Sequence, residues 1–128
     1  MADWDVIVVG AGNAAFAAAI AAKERGVSVL VLECAPQEEA GGNTRFTAGA
    51  MRFAYHGLDH LKRLMPDLTA EEIGKTDFGQ YSEEAFFDDM GRVTEYRTDP
   101  DLCEVLVTRS RETMFWMRDK GIRFAPIW

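Results

Sequence analysis

The sequence predicts an α/β protein that opens with a β-α-β unit of parallel strands and continues as a mainly helical segment. Three observations carry that expectation. Val6-Ile7-Val8-Val9 is a continuous apolar, β-branched run, eight alanines crowd the stretch from Ala11 to Ala22, and Val27 to Glu33 is apolar and β-branched again. Unbroken apolar runs suit parallel strands covered on both faces by helices. A helix between two such strands makes a crossover unit of about thirty residues, expected to be right-handed.

Each element has its own justification. Gly10-Ala11-Gly12 lets the first strand turn into the Ala-rich helix, alanine being the strongest helix former. That helix runs through Lys23-Glu24-Arg25 and stops at Gly26, where a left-handed residue is expected. Cys34 to Ala40 reads as a loop carrying Pro36, followed by Gly41-Gly42-Asn43-Thr44 and the small-residue run Thr47 to Met51. Beyond Tyr55 the texture changes to charged helical sequence, which predicts a division into residues 1–55 and 56–128.

In the second part, Leu58, Leu61 and Leu64 space a short helix ending at Pro66. Thr69 with Glu72 is a capping-box pattern. Ser82 is placed to cap a helix running to about Arg97, and Asp99-Pro100 to start a longer one ending at Gly121. On that last helix Leu102, Val105 and Leu106 mark one face, while Met114, Phe115, Trp116 and Met117 encircle the axis and require burial on several sides. Ile122 to Trp128 reads as extended chain.

Composition narrows the function. With 48% hydrophobic and 27% charged residues, the 128-residue chain is globular rather than disordered. Its net charge of −7 concentrates between His56 and Glu104, so no electrostatic basis exists for binding nucleic acid. Cys34 and Cys103 lack a CxxC partner or a histidine at ligand spacing and are expected to be reduced, largely buried thiols. Val6 to Ala22 is apolar, but Asp3 and Asp5 stand where a signal peptide carries cations, and Asn13 interrupts the run. The expectation is a cytoplasmic protein with no transmembrane segment.

Gly10-x-Gly12-x-x-Ala15 follows a predicted strand, opens a predicted helix and precedes an acidic residue, Glu33, by eighteen positions. That is the full context of a dinucleotide-binding unit of Rossmann type. Gly10 serves the turn, Gly12 lacks a Cβ that would block a pyrophosphate, and Ala15 lets the helix approach the sheet. Free amides at the helix start face the phosphates, and Glu33 is placed to accept from an adenosine ribose. The loop alone leaves FAD and NAD open, and Glu33 disfavours NADP.

Gly41-Gly42-Asn43-Thr44-Arg45-Phe46-Thr47-Ala48-Gly49-Ala50-Met51 resembles the second FAD-contacting segment of the fumarate reductase and succinate dehydrogenase flavoprotein family. Further likeness runs through Phe46 to Tyr55, Asp77-Phe78-Gly79, Phe86 to Thr94, Trp116-Met117-Arg118 and Gly121 to Ile127, and is similar to the FAD-dependent tricarballylate dehydrogenase branch. The resemblance implies that Gly10, Gly12, Asn13, Ala14 and Glu33 bind the ADP portion, and that Gly42, Asn43, Thr44, Gly49 and Ala50 line the path to the isoalloxazine. A histidine in the position of Asn43 holds the flavin covalently in the succinate dehydrogenase subfamily. Asn43 cannot form that bond, so the implied FAD is non-covalent. Ala50 departs from the second glycine of the usual small-residue pair.

The family's members are several times longer, which implies that this chain is the N-terminal portion of an incomplete domain, inactive alone and truncated at Trp128, with the catalytic residues downstream. The implied chemistry is dehydrogenation of a carbon–carbon bond in a di- or tricarboxylate, of the tricarballylate to cis-aconitate type, with hydride passing to the flavin and then to an unidentified electron acceptor. The alternatives are an NAD-dependent dehydrogenase and a non-catalytic nucleotide-binding module. His56 and His60 share a spacing of four but lack a third metal ligand nearby, and no metal site is expected. Arg52 and His56 are candidates to approach a substrate carboxylate. The acidic pairs Glu83-Glu84 and Asp88-Asp89 are expected in the first turns of the helix that Ser82 caps.

Overall fold

Strand β1 (Val6–Val9) and strand β2 (Val29–Leu32) form a parallel two-stranded sheet in which Val6 pairs with Val29 and Val9 with Leu32. Helix α1 (Asn13–Glu24) connects them and packs on both. The computed structural model describes residues 3–127, so Trp128, the expected truncation point, lies outside the described residues. The chain divides into two compact units, Met1–Ala50 and Met51–Trp128.

The first unit is the expected α/β arrangement. β2 is shorter than the apolar run that predicts it, because both its ends are taken by side-chain bonds. Asp5 accepts from the backbone N–H and the hydroxyl of Ser28 at 2.8 and 2.7 Å, clasping the strands where they begin. At the far end Glu33 turns its carboxylate back onto backbone amides. Gly26 takes φ +80°, the left-handed geometry expected at the stop of α1. Burial departs from expectation: Val6 and Val8 are half-buried, whereas Ile7 and Val9 on the opposite face are 56% and 83% exposed. No described residue of this unit is fully buried.

Among the described residues the second unit holds four helices: α2 (Leu58–Leu64), α3 (Ala70–Lys75), α4 (Glu83–Thr94) and α5 (Pro100–Asp119). Thr69 and Glu72 exchange the reciprocal bonds of a capping box at α3. Ser82 accepts from the Ala85 N–H and Asp99 from the Leu102 N–H, so α4 and α5 begin where the sequence predicts. α4 ends three residues early. Glu95 and Tyr96 turn left-handed, and the Tyr96 N–H bonds the Gly91 carbonyl at 2.9 Å, closing the helix before Arg97.

Two apolar clusters among the described residues stabilise this unit. Leu61, Leu64, Met65 and Met114 form one, flanked by Phe53, Phe115, Met117 and Phe124. Phe86, Cys103 and Val107 form the other, between α4 and α5. The buried stripe of α5 is therefore Cys103, Val107, Ser110 and Met114, at helical spacing. Leu102, Val105 and Leu106 mark a face that stays exposed. Phe115, Trp116 and Met117 are all partly buried, as their distribution around the axis requires. Cys103 is buried as expected, but Cys34, two residues past the end of β2, is exposed. No helix among the described residues is long and apolar enough to cross a membrane.

Candidate functional site

The first unit gathers the candidate residues around the amino-terminal end of α1. Gly10 carries φ +106°, a left-handed geometry that an L side chain strains to adopt, and a Cβ added there would meet nothing within 4 Å. Gly12 is the reverse case. Its φ of −87° suits any residue, but an added Cβ would lie 3.1 Å from the Thr44 hydroxyl oxygen and 3.3 Å from the Gly41 carbonyl oxygen. Gly12 thus makes room for the second glycine segment, a role sequence reasoning did not foresee.

That segment is ordered rather than a plain loop. Gly42–Phe46 forms a 3₁₀ turn preceded by Gly41, and Thr44 Oγ1 accepts from the Asn13 N–H at 3.1 Å across 31 residues of chain. Asn13, Ala14, Gly42, Asn43, Gly49 and Ala50 are exposed, while Gly10, Gly12, Ala15 and Thr44 are half-buried. A Cβ added at Gly42 or Gly49 would also meet nothing within 4 Å, so backbone lies open there.

Glu33 has an unexpected set of partners. Its Oε2 accepts from the Ala11 N–H at 3.0 Å, inside the glycine loop, and its Oε1 accepts from the N–H groups of Cys34 and Ala35 at 2.8 and 3.0 Å. The Ala35 bond, with help from the neighbouring amides, holds the carboxyl below its ordinary range against the opposing effect of burial. Glu33 is a brace that fixes the loop to the end of β2. A carboxylate has about four acceptor positions, and these amides take three of them.

The helix end suits a diphosphate. α1 begins on Gly12, which has no capping side chain, and carries no acidic residue in its first turn. α3, α4 and α5 each have both. The positive end of α1, with amides uncommitted to the helix, is thereby left to groups from elsewhere in the chain or from a ligand. The residues present fit a dinucleotide.

The second unit accounts for the remaining candidates. Arg52 donates to the Tyr81 hydroxyl at 3.0 Å and to Asp89, which also receives Tyr81 at 2.8 Å and Arg92 at 2.8 Å. Asp88 and Asp89 lie beyond the first turn of α4, so only Glu83 and Glu84 match the helix-start placement expected of the acidic pairs. Asp89 instead serves this network. His56 Nε2 pairs with Glu83 at 2.9 Å, while His60 Nδ1 accepts from the His56 backbone N–H at 3.1 Å. That bond requires His60 to be neutral at Nδ1, and burial, with the charges of Arg111, His56 and Arg63, lowers its pKa. Among the described residues no three His, Cys, Asp or Glu side chains converge as a metal-ligand set.

Comparison with known proteins agrees with this geometry. A family model described as "FAD binding domain" matches residues 5–126. A fumarate reductase (cytochrome) from Shewanella frigidimarina is 33% identical over 91% of this chain and 18% of its own length. An NADH:fumarate oxidoreductase from Klebsiella pneumoniae is 30% identical over 97% of this chain and 12% of its own. A vinyl phenol reductase from Lactiplantibacillus plantarum is 29% identical over 97% of this chain and 22% of its own. The chain spans less than a quarter of the length of these relatives. It belongs to the FAD binding domain family of fumarate reductase and succinate dehydrogenase flavoproteins, and its cofactor is FAD.

Proposed function

We propose that residues 1–55 contribute the ADP-binding and flavin-approach part of an oxidoreductase acting on a carbon–carbon bond beside a carboxylate, with residues 56–128 as an accompanying helical segment. Gly10, Gly12, Asn13, Ala14 and Glu33 receive the ADP half. Gly42, Asn43, Thr44, Gly49 and Ala50 follow the cofactor toward its ring. The observation that carries this reading is the meeting of both glycine segments at the start of α1, with Thr44 on the Asn13 N–H and Gly12 against Gly41. FAD, when bound, supplies hydride transfer, and these residues hold and orient it.

The cofactor is held without a covalent bond, because Asn43 offers no nucleophile. The substrate we favour is a di- or tricarboxylate of the tricarballylate kind, on the resemblance of residues 46–55, 86–94 and 116–127. Relatives named for fumarate reduction support the broader class. The test is to incubate the protein with FAD, remove free cofactor, and assay tricarballylate oxidation and fumarate reduction in the longest natural form of the chain. FAD retained and released intact by denaturation, with tricarballylate oxidised, is expected. Failure to retain FAD, or flavin remaining on the denatured chain, contradicts the cofactor reading. Activity on fumarate alone contradicts the substrate.

A further inference from the structure

We propose that Thr44 is a positioning residue that caps helix α1 from the second glycine segment, so that the two cofactor-binding motifs form one interlocked element before FAD arrives. The proposal rests on the FAD reading above and adds a role within it.

A helix leaves its first four N–H groups without internal partners, and an oxygen-bearing side chain at the preceding position normally takes one. In α1 that position is Gly12, which has no side chain, and no acid stands in the first turn. Thr44 Oγ1 accepts from the Asn13 N–H at 3.1 Å, taking the part a cis cap would play. A serine or aspartate at residue 12 would crowd it, because a Cβ there already comes within 3.1 Å of the same oxygen and 3.3 Å of the Gly41 carbonyl. The absence of a side chain at Gly12 and the presence of a hydroxyl at Thr44 are one arrangement.

The segment carrying Thr44 is held in place from its own side. Gly41 accepts from the Thr44 N–H at 3.1 Å, and the Thr44 carbonyl accepts from the Thr47 hydroxyl at 3.0 Å. Glu33 fixes the other side of the loop through the Ala11 N–H. Two amides of the glycine loop, those of Ala11 and Asn13, are thus held by side chains of this chain. A hydroxyl that accepts one bond keeps its own proton to give, so Thr44 is able to hold the Asn13 amide and donate to an anionic oxygen together.

The test uses the 128-residue chain with nuclear magnetic resonance and FAD titration. In wild type without FAD, a proton contact between the Asn13 amide and the Thr44 side chain is expected, and its absence overturns the proposal without any variant. Thr44→Val is expected to speed exchange of the Asn13 amide in the FAD-free protein and to weaken FAD binding about tenfold, the size of a lost cap. Thr44→Ser restores both. Unchanged Asn13 exchange in Thr44→Val overturns the interlock, whatever happens to FAD. Wild-type protein that binds no FAD overturns the proposed function instead, and the Asn13 results then judge the cap alone.

Discussion

Replacing Gly12 by alanine separates two reasons for a glycine that sequence patterns merge. The backbone at Gly12, φ −87° and ψ −178°, is open to alanine, so the substitution adds no dihedral strain. The cost is contact. The new Cβ would stand 3.1 Å from Thr44 Oγ1 and 3.3 Å from the Gly41 carbonyl oxygen. Separations in that range require a neighbour to give by a few tenths of an ångström, and the Gly41 carbonyl is backbone held by the Thr44 N–H. Overpacking of this kind costs about 1–3 kcal/mol, and the modest overlap places this case near the lower figure. About 1.4 kcal/mol is a tenfold change in an equilibrium constant, so the unfolding equilibrium is expected to shift by about fivefold. The assay is a double-mutant cycle with Thr44→Ala, read by denaturant unfolding and flavin fluorescence. Removing the hydroxyl relieves the closer contact, so Gly12→Ala is expected to cost less in the Thr44→Ala background, with a coupling of at least about 0.5 kcal/mol. Equal cost in both backgrounds would refute the argument that Gly12 accommodates the second segment.

Other consequences lie in the helical unit. Ser110 is buried, accepts from the Ala54 N–H at 3.0 Å and donates to the Val107 carbonyl at 2.8 Å. Ser110→Ala strands the Ala54 amide, itself only 1% exposed, and is expected to destabilise by about 1–3 kcal/mol in denaturant unfolding. His60 has its pKa lowered from 6.5, chiefly by burial and then by Arg111, His56 and Arg63. The folded state therefore binds its proton less readily than the unfolded one. Its contribution is complete above pH 6.5 and is lost as pH falls from there through the lower folded value. His60→Asn, which places an acceptor near the Nδ1 position without titrating, is expected to remove this part of the pH dependence. An identical stability-against-pH curve for the variant would show that His60 does not carry it.

Local signals were legible in the residues wherever the interaction is local. β1, the left-handed Gly26, the Thr69–Glu72 box and the Ser82 and Asp99 caps each depend on residues within a few positions of one another, and all are present. What could not be read depends on distant partners. The Thr44 bond to Asn13 joins residues 31 apart, and the Glu33 bond to Ala11 joins residues 22 apart. The available signals were a helix start without a cap and a hydroxyl in the glycine segment, but no periodicity links them. The buried face of α5 depends on distant partners too. Leu102, Val105 and Leu106 are the more apolar choice, whereas the helix buries Cys103, Val107 and Ser110 because α4 and the Ala54 amide lie on that side. Asp89 likewise follows its partners Arg52, Tyr81 and Arg92 rather than the helix dipole.

The most direct measurement is the map of backbone amide shifts in the labelled chain as FAD is added, with NAD as the comparison. The account predicts that FAD moves the amides of residues 10–15 and 42–50 most, that Gly12 and Asn13 are among the largest changes, and that equal NAD leaves the 42–50 segment nearly still. Shifts confined to residues beyond Tyr55, or the same pattern with both cofactors, would contradict it.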